Sequence, residues 1–383
     1  MNRHRLPAVF MRGGTSKALM LHRHDLPAAQ ADWVPIFLRA MGSPDPNGRQ
    51  LDGMGGGLSS VSKVCVLSRS SRPDADIDYT FAQVMVKDAH VDYSGNCGNM
   101  SSAVGPFAVD ESLVDAADGQ ATVRIYNTNT DKIIHSTFAV HGGQAVERGD
   151  LAIPGVAGSG APIRLDFLSP GGASTGRLLP SGRVVDEVEV PGLGKIEVSM
   201  VDAANACVLV AASSLGLTGL EMPGDLEADP VTMERLSAIR LQASVAMGLA
   251  RTIEEARSRT VVPFVGFLAP PQDARTLSGD LLSGDAVDLT ARMISNGQPH
   301  RALPLTASLC IAVAASIEGT VAWRAARRAA GGTAAPGAAM RLSMPSGVLT
   351  VGAEVESRAG QWTAVRGSFY RTARRLFDGA VYY

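Results

Sequence analysis

The chain has 383 residues, of which 45% are apolar and 19% are charged, as is typical of a folded globular protein and not of a disordered one. Its net charge of −2, without any basic block, argues against nucleic acid or an anionic membrane as a partner. At roughly one domain per ~150 residues, the length favours two domains.

The cysteine content points to a reducing compartment. The four thiols lie far apart and form no C-x-x-C pair, so the common zinc and thioredoxin spacings are absent and no disulfide framework is indicated. The first residues include basic ones but lack the apolar stretch of a secretory signal, and no apolar run approaches the ~20 residues of a membrane helix. We therefore expect a cytoplasmic protein. The cysteines are Cys65, Cys97, Cys207 and Cys310.

Strand-like and helical patterns follow one another along the whole chain. Period-two alternation predicts strands at Ala8–Met11, Lys17–Leu21, Lys63–Ser68, Ile77–Val86, Thr122–Asn127, Glu187–Val190, Ile196–Val201 and Val208–Val210. Helical spacing predicts helices at Trp33–Met41, Ser101–Phe107, Met233–Met247 and Thr306–Ser316. These elements mingle without a regular β-α-β order, so we predict the α+β class. The segment Trp323–Ala339 is predicted to be a solvated excursion whose helical start ends at Gly331.

A weak internal repeat indicates two related halves. Val9–Leu21 reads as a strand, a loop of small polar residues and a second strand, and Ser199–Val210 has the same form. Later in each half, an apolar helix of small residues follows a polar turn, at Cys97 and at Thr306. We therefore predict two similar domains, each with a central helix that starts at a shared cleft, and a boundary near Arg183.

Cys97 is the first candidate for chemistry. It stands between two Gly-Asn steps, directly before the predicted helix, where the first backbone N–H groups lack partners and the helix dipole is positive. A thiol there ionises more readily and can act as a nucleophile or a proton-transfer group. The amides of Gly98, Asn99 and Met100 could hold a substrate carboxylate. The alternative is a buried, inert cysteine.

Lys63 is the second candidate. It follows the glycine-rich stretch Asp52–Ser62, which lacks the G-x-x-x-x-G-K-[ST] pattern of a phosphate loop, and it opens a strand rather than a helix. A lysine at the start of an apolar strand points into the protein or into a cleft, where desolvation favours the neutral amine and acid–base chemistry. The alternative is a surface lysine at a strand end.

Two further stretches suit anions. Arg12–Lys17 collects cations, hydroxyls and free amides, a composition that suits carboxylates or phosphates. Its candidate side chains are Arg12, Thr15, Ser16 and Lys17. Arg301 precedes the second predicted helix near Thr306, and an arginine can bind a carboxylate through two hydrogen bonds. A plain polar turn and an exposed basic turn are the respective alternatives.

Several familiar catalytic motifs are absent. The chain contains no G-x-S-x-G, no H-E-x-x-H and no G-x-G-x-x-G after a strand. Its seven histidines form no ligand-spaced cluster beyond His22 and His24, which we interpret as surface residues. We therefore expect neither a metal nor an organic cofactor.

Several short motifs are spread over residues 11 to 376. They are Met11-Arg-Gly-Gly-Thr-Ser-Lys, Arg49-Gln-Leu-Asp-Gly-Met-Gly-Gly with Ser62-Lys63-Val, Asn96-Cys-Gly-Asn with Gly105-Pro-Phe, Val201-Asp-Ala-Ala-Asn with Leu215-Gly-Leu-Thr-Gly, and Arg371-Thr-Ala-Arg-Arg-Leu. Taken together, these motifs strongly resemble the PrpF family. That family includes 2-methylaconitate cis–trans isomerase, methylitaconate Δ-isomerase and 4-oxalomesaconate tautomerase.

The resemblance implies the diaminopimelate epimerase fold, in which two similar domains each roll a β-sheet around a central α-helix and the active site lies in the interdomain cleft. The corresponding domains are residues 1–183 and 184–370, with residues 371–383 expected to pack back on the first. The resemblance also implies catalytic roles for Lys63 and Cys97. Their neighbours in the matching motifs, Ser62 and Asn96, join the expected substrate-binding residues.

One departure from the epimerases is informative. The resemblance to diaminopimelate epimerases implies one cysteine in each half, at the start of each central helix. Aligning the second helix on Thr306 places Pro304 at the position of the second thiol. A two-thiol racemase is therefore disfavoured, and Lys63 is expected to supply the other acid–base group.

The expected reaction is a cofactor-independent proton shift in a small unsaturated di- or tricarboxylate, such as 2-methylaconitate, aconitate, methylitaconate or 4-oxalomesaconate. It could be an allylic 1,3-shift, a keto–enol tautomerisation or a cis–trans isomerisation. Helix amides, Arg12 or Lys17, and Arg301 would stabilise the dienolate. Which of the two catalytic groups is the base stays open.

Three other functions stay open from the sequence. Cys97 could be the nucleophile of a hydrolase or transferase, which requires a histidine partner that no pattern identifies. An amino-acid racemase of the epimerase type and a non-catalytic carboxylate-binding protein are the other two. In each case we expect a small polycarboxylate or related acid as the partner and neither nucleic acid nor membrane, with a homodimer left open.

Overall fold

The computed structural model describes residues 4–93, 96–258, 262–295, 297–326 and 339–383. The strands are β1 (Arg5–Gly13), β2 (Ser16–His22), β3 (Lys63–Arg69), β4 (Ile77–Val84), β5 (Val91–Asp92), β6 (Gly119–Asn127), β7 (Lys132–His141), β8 (Gln144–Ala145), β9 (Ile163–Leu168), β10 (Asp186–Val190), β11 (Gly194–Ala203), β12 (Asn205–Ala211), β13 (Phe264–Ala269), β14 (Ala274–Arg275), β15 (Leu281–Leu282), β16 (Leu289–Ser295), β17 (Gln298–Pro299), β18 (Ala339–Met344), β19 (Gly347–Arg358), β20 (Gln361–Arg371) and β21 (Ala373–Tyr382). The helices are α1 (Trp33–Met41), α2 (Gly98–Asp110), α3 (Pro223–Glu227), α4 (Pro230–Ala246), α5 (Ile253–Ser258), α6 (Leu305–Ala315) and α7 (Val321–Ala325).

The α+β class predicted from the sequence is confirmed. Each of the eight predicted strands lies on an observed strand, β1 to β4, β6 and β10 to β12, and the four predicted helices lie on α1, α2, α4 and α6. Helix α1 has the predicted bounds, and it ends at Gly42, whose left-handed backbone is a common helix terminus. The excursion predicted for Trp323–Ala339 begins within α7. Residues 327–338, which include the predicted helix end at Gly331, lie outside the described residues.

The chain divides into two compact units. The first comprises the residues up to Leu168 together with Tyr370–Tyr383, and the second comprises Ser169–Phe369. The boundary predicted near Arg183 falls within the second unit. The segment that precedes Arg183 is held in the second unit. The backbone N–H of Gly172 donates to the carbonyl of Asp202, and the amides of Ser174 and Thr175 donate to the Asp202 carboxylate.

Both units have the same sheet topology. In the first unit the strand order is β21-β1-β2-β3-β4-β6-β7-β9, and in the second it is β10-β11-β12-β13-β16-β18-β19-β20. In both orders the successive pairings are antiparallel, antiparallel, parallel, antiparallel, parallel, antiparallel and antiparallel. The prediction of two similar domains is therefore confirmed at the level of strand order and direction.

The sheet of the first unit is rolled around α2. This helix contacts β1 and β21 at one end of the strand order as well as β7 and β9 at the other, and all of its residues from Met100 to Val109 are buried. A helix that is apolar on every side is stable only when it is enclosed. Full burial of a side chain such as Phe107 contributes about 1.5–3 kcal/mol.

Two glycines set how closely the central helices approach their sheets. A Cβ on Gly105 of α2 would lie 2.6 Å from both the Phe138 ring and the Ser136 hydroxyl of β7. In the second unit, a Cβ on Gly367 of β20 would lie 2.3 Å from the Leu309 side chain of α6. Both distances are far shorter than normal packing contacts, so a side chain at either position would force the helix away from the sheet.

The outer face of the first sheet carries a second core. Helix α1 packs there with Phe10, Leu19 and Leu21, whereas Ala18, Met20 and Cys65 face α2. This alternation decides which side chains of β1 to β3 can reach the start of α2. In the described part of the chain, no helix is long and apolar enough to cross a bilayer.

We predict that Gly105→Ala destabilises the protein. Overpacking costs about 1–3 kcal/mol and outweighs the gain of up to ~1 kcal/mol in helix propensity. Urea denaturation followed by circular dichroism measures the change in the free energy of unfolding. Gly224→Ala is the control, because that glycine is also helical but a Cβ there would meet no atom within 4 Å. Equal effects of the two substitutions would contradict the packing argument.

Candidate functional site

Cys97 lies immediately before α2, at the N-cap position. Its backbone is extended, with φ of −106° and ψ of 97°, and its carbonyl accepts hydrogen bonds from the Ser101 amide and hydroxyl. The thiol is half-buried against the core that surrounds α2. The prediction that the thiol stands at a helix start is confirmed, and this geometry places it beside the unpaired amides of the first turn.

Asn129 holds the chain just after β5, on the way to Cys97. From the turn between β6 and β7, its side-chain oxygen accepts a hydrogen bond from the Phe81 amide at 2.8 Å. Its side-chain nitrogen donates to the carbonyls of Phe81 and Tyr93, at 2.9 and 2.8 Å. One side chain therefore ties the chain at Tyr93 to β4, four residues before the thiol.

The turn between β1 and β2 packs directly on the first turn of α2. A Cβ on Gly13 would lie 2.6 Å from the backbone oxygen of Asn99, so this approach requires a glycine. The side-chain nitrogen of Asn99 donates to the Thr15 hydroxyl at 3.0 Å. The predicted binding residues Thr15 and Asn99 are thus neighbours.

Arg371 joins the same cluster from the C-terminal segment. Its Nε donates to the side-chain oxygen of Asn99 at 3.2 Å, and its Nη1 donates to the Tyr370 carbonyl at 2.9 Å. The residue is only 7% exposed, and burial lowers the pKa of its guanidinium to about 10. Among the described residues, no carboxylate pairs with it. Burial of a cation without a counter-ion is unfavourable, and a bound anion would relieve that penalty.

The Arg12 side chain supports the β1–β2 turn through hydrogen bonds. Its Nη1 donates to the carbonyls of Gly14 and Thr372, at 3.0 and 2.9 Å. Burial is the main reason why the pKa of this guanidinium lies below its ordinary value, and the positive charge of Arg374 adds to the effect. Arg12 therefore adds positive charge near Arg371 while it holds the β1–β2 turn to the C-terminal segment.

Lys63 lies on the first residue of β3 and is only 7% exposed. Its ammonium nitrogen donates to the side-chain oxygen of Gln83, the residue directly opposite on β4. The same nitrogen lies 4.9 Å from the centre of the Phe81 ring. The structure thus confirms that this lysine points inward from a strand start and is not a surface residue.

Lys63 and Cys97 are both neighbours of Cys65. Burial is the main cause that raises the pKa of Cys65 far above its ordinary value. The Cys97 thiol raises it further, and the Lys63 charge acts in the opposite direction. Because Lys63 and Cys65 alternate on the same side of β3, both face α2. The first unit therefore brings an amine and a thiol to one region of its inner face.

The glycine-rich stretch before Lys63 is held by Gln50. This fully buried side chain donates to the hydroxyls of Ser43 and Ser62, at 2.8 and 2.7 Å, and its oxygen accepts from the Gly57 amide. The glycines make room for it, since a Cβ on Gly55 would lie 2.2 Å from its oxygen. Gln50 thus joins the glycine-rich stretch to Ser62, the residue before Lys63.

Two predicted binding residues have side-chain positions that argue against substrate contact. The Ser62 hydroxyl is fully buried, accepts from Gln50 and donates to the Val84 carbonyl at 2.9 Å. Lys17 points to the α1 side, where its nitrogen lies 5.7 Å from the Phe10 ring. The side chain of Met100 is fully buried in the α2 core, but the prediction concerns its backbone amide, which is in the first turn of the helix. Strand register and helix phase, which the motifs do not reveal, decide these orientations.

The other predicted residues of the first unit have less decisive positions. Ser16 is buried at the start of β2, and Gly98 is half-buried at the start of α2. The side-chain oxygen of Asn96 is 3.3 Å from the Ser101 hydroxyl, which donates to it. That bond fixes Asn96 at the entrance to the helix.

The corresponding helix start of the second unit lacks a thiol. Pro304 is the N-cap of α6, as the alignment on Thr306 predicted. The side-chain nitrogen of Asn205, at the β11–β12 turn, lies 3.4 Å from the Thr306 hydroxyl and donates to it. Arg301 is exposed in the preceding loop. Roles for Arg301 and Thr306 in substrate binding stay predictions.

Sequence reasoning missed three polar residues of the first unit. Arg371 was visible only as part of a matching motif, because its partner Asn99 is 272 positions away. Gln83 and Asn129 occur in stretches without a motif, so only the register of β4 with its neighbours reveals them. In the described residues, no group of three or more histidine, cysteine, aspartate or glutamate side chains could hold a metal ion.

Comparison with known proteins gives full-length matches. The family described as PrpF protein matches residues 3–383. The chain is 40% identical to 3-methylitaconate isomerase of Eubacterium barkeri, over 99% of this chain and 97% of that one. It is 38% identical to 2-methyl-aconitate isomerase of Shewanella oneidensis, over 98% and 96% of the two chains. A crystal structure of methylitaconate-delta-isomerase superposes with a TM-score of 0.91 at 40% identity, covering 100% of this chain and 96% of that chain.

We predict that iodoacetamide modifies Cys97 alone in the native protein. The other three thiols are fully buried. Burial raises the pKa of Cys65, and a hydrogen bond with the free thiol of Cys310 is the main cause that raises the pKa of Cys207, so the reactive thiolate is suppressed. Peptide mass spectrometry identifies the modified residue. Cys97→Ser should leave the native protein unlabelled, whereas labelling of any other cysteine at a comparable rate would contradict the burial.

Proposed function

Since the chain belongs to the PrpF family and is an isomerase, we propose that it shifts a proton within a small unsaturated di- or tricarboxylate, using Lys63 and Cys97. The named relatives act on substrates of that class by their names, 2-methyl-aconitate and 3-methylitaconate. Aconitate and 4-oxalomesaconate share the same chemistry, a C=C bond conjugated with a carboxylate, and complete the set of candidates.

The observation that supports the proposal is that an amine, a thiol and a buried cation occur in the same unit. The Lys63 amine and the Cys97 thiol both neighbour Cys65 on the inner face of the first sheet. Cys97 is two residues before Asn99, whose side-chain oxygen accepts a hydrogen bond from the buried guanidinium of Arg371, a group that no carboxylate of the described residues pairs with. A carboxylate held by Arg371 would therefore place the adjacent carbons of the substrate near the thiol.

The reaction needs one C–H bond to break and another to form. One of the two groups removes a proton from the carbon γ to a carboxylate, across the C=C bond. The electrons delocalise into a dienolate, and its charge is stabilised by Arg371 and by the first-turn amides of α2. The second group returns a proton at another carbon, or at the same carbon after bond rotation. Each positioned acid–base group typically contributes ~10²–10⁴-fold to the rate.

A thioester mechanism would use the same thiol differently. Activation of Cys97 as a nucleophile requires a base such as histidine within hydrogen-bonding reach. Within the described ranges, no hydrogen bond joins a histidine to this thiol: His22, for example, pairs with Glu111 at 3.1 Å. The geometry therefore favours proton transfer over acyl transfer.

We predict that the protein deuterates its substrate at an allylic carbon in D₂O, because removal of a proton exposes it to exchange. Each candidate polycarboxylate is incubated with the protein, and the vinyl, methyl and methylene signals are followed by NMR. Cys97→Ser and Lys63→Ala should each reduce turnover by at least about 10²-fold, the lower range for an acid–base group. Lys63→Arg should not restore it, since a guanidinium does not release its proton at accessible pH.

Other outcomes have definite meanings. Conversion of the substrate without deuteration would indicate direct intramolecular transfer of the proton by one residue. If only one of Cys97→Ser and Lys63→Ala loses activity, the residue replaced in that variant carries the proton. Exchange of carboxyl oxygen with untouched carbon-bound hydrogens would contradict the isomerase mechanism and support a thioester. Binding of the candidate acids without any conversion would leave a carboxylate-binding protein.

We further predict that Arg371→Met raises KM more than it lowers kcat. Hydrogen bonds to charged groups contribute about 1.5–3 kcal/mol, so loss of the guanidinium should weaken substrate binding by about 10- to 100-fold. Steady-state kinetics measures both constants. Arg72→Met is the matched control, because Arg72 lies in the same unit but is exposed and paired with Asp74. An unchanged KM in Arg371→Met would remove this residue from the substrate site.

A further inference from the structure

We propose that Gln83 is a positioning residue that controls the protonation state of Lys63. The inference depends on the function proposed above only in assigning proton transfer to that lysine. It concerns a residue that no motif includes, on the strand opposite the lysine.

The side-chain amide of Gln83 has one allowed orientation. Its nitrogen donates to the carbonyls of Ser59 and Ser62, at 3.1 and 2.9 Å, with a longer contact of 3.5 Å to the Val84 carbonyl. Carbonyl oxygens only accept hydrogen bonds. Rotation of the amide would face oxygen against oxygen and present an N–H to the ammonium group. The Gln83 oxygen is therefore fixed towards the Lys63 nitrogen.

Strand pairing fixes the position of the contact between Lys63 and Gln83. Lys63 and Gln83 are directly opposite one another in the antiparallel pair of β3 and β4. Phe81, two residues before Gln83 on the same side of β4, presents its ring 4.9 Å from the lysine nitrogen. The amide oxygen accepts from the ammonium group, and the negative face of the ring lies against the same group.

The charge balance around Lys63 explains why an amide is suitable here. The titratable groups on the inner side of β3 and β4 and at the start of α2 are Cys65, Tyr79 and Cys97, and Asp92 on β5 lies opposite Gln83. Within the described ranges, no carboxylate forms an ion pair with the lysine. A neutral acceptor orients the ammonium without locking its proton, whereas a carboxylate at position 83 would hold the proton far more strongly.

The competing interpretation is that Gln83 only supports the backbone. Its nitrogen anchors the turn at Ser59–Val61 and the carbonyl of Ser62, which lead into β3. It also lines a groove of about 500 Å³ together with Gly57 and Ser59. Loss of a structural support would lower activity at every pH. Control of protonation would instead move the pH at which Lys63 changes its charge.

Two substitutions of similar size separate these interpretations. Gln83→Glu adds a negative charge beside the ammonium, and the limb of the kcat/KM profile that reports Lys63 should move to higher pH by about one unit. Gln83→Met removes the acceptor beside the buried lysine, and the same limb should move to lower pH. Shifts in opposite directions follow from control of protonation and not from loss of support.

A second measurement does not require turnover. Competitive acetylation with acetic anhydride over a range of pH, read by peptide mass spectrometry, reports the neutral fraction of Lys63 in each protein. The acetylation curve should shift upward in Gln83→Glu and downward in Gln83→Met. Gln120→Glu, the same charge change at an exposed position of β6 in the same unit, should leave the curve unchanged. Circular dichroism identifies any variant that fails to fold.

The results distinguish failure of this inference from failure of the proposed function. Unshifted acetylation curves in two folded Gln83 variants would overturn the inference, even if the wild-type protein is an active proton-shift isomerase. Shifted curves would support it, even if none of the candidate polycarboxylates is converted. A uniform loss of kcat/KM with an unmoved limb would likewise overturn it.

Discussion

The structure of the first unit depends on the burial of one helix on every side. Because α2 has no polar face between Met100 and Val109, the sheet must close around it, and the strands at both ends of the order contact it. A helix enclosed in this way can present chemistry only at its ends. The N-terminal end combines a positive dipole with unpaired amides, so the helix that makes the core also positions Cys97.

The two units share their topology but not the chemistry at the helix start. Cys97 occupies the N-cap of α2, whereas Pro304 occupies the N-cap of α6. In the proposed mechanism, a thiol at the helix start of only one unit leaves the second proton-transfer group to a different element. Lys63 satisfies this requirement, since it opens a strand whose inner side faces α2 and it shares Cys65 as a neighbour with Cys97. The same unit also supplies the buried cation of Arg371.

Local patterns were sufficient to predict strands and helices with clear alternation or spacing, and the position of Cys97 followed from the Gly-Asn steps around it. Orientation was harder to predict, because it depends on which strand lies opposite. Ser62 and Lys17 belong to matching motifs, yet one hydroxyl is bonded internally and one ammonium faces α1. The pairing of Arg371 with Asn99 was beyond local patterns, since it joins distant parts of the chain. Among the longer strands, β7, β9, β13, β16 and β18 to β21 were not predicted.

The contact between hairpin and central helix is made by the same pair of residue types in both units, with the two types exchanged. In the first unit an asparagine of the helix, Asn99, donates to Thr15 of the hairpin. In the second unit an asparagine of the hairpin, Asn205, donates to Thr306 of the helix. A comparison of the two halves position by position finds two mismatches here, although an asparagine–threonine hydrogen bond joins hairpin and helix in both. The similarity of the units is thus visible in the pair of residues and not at either position alone.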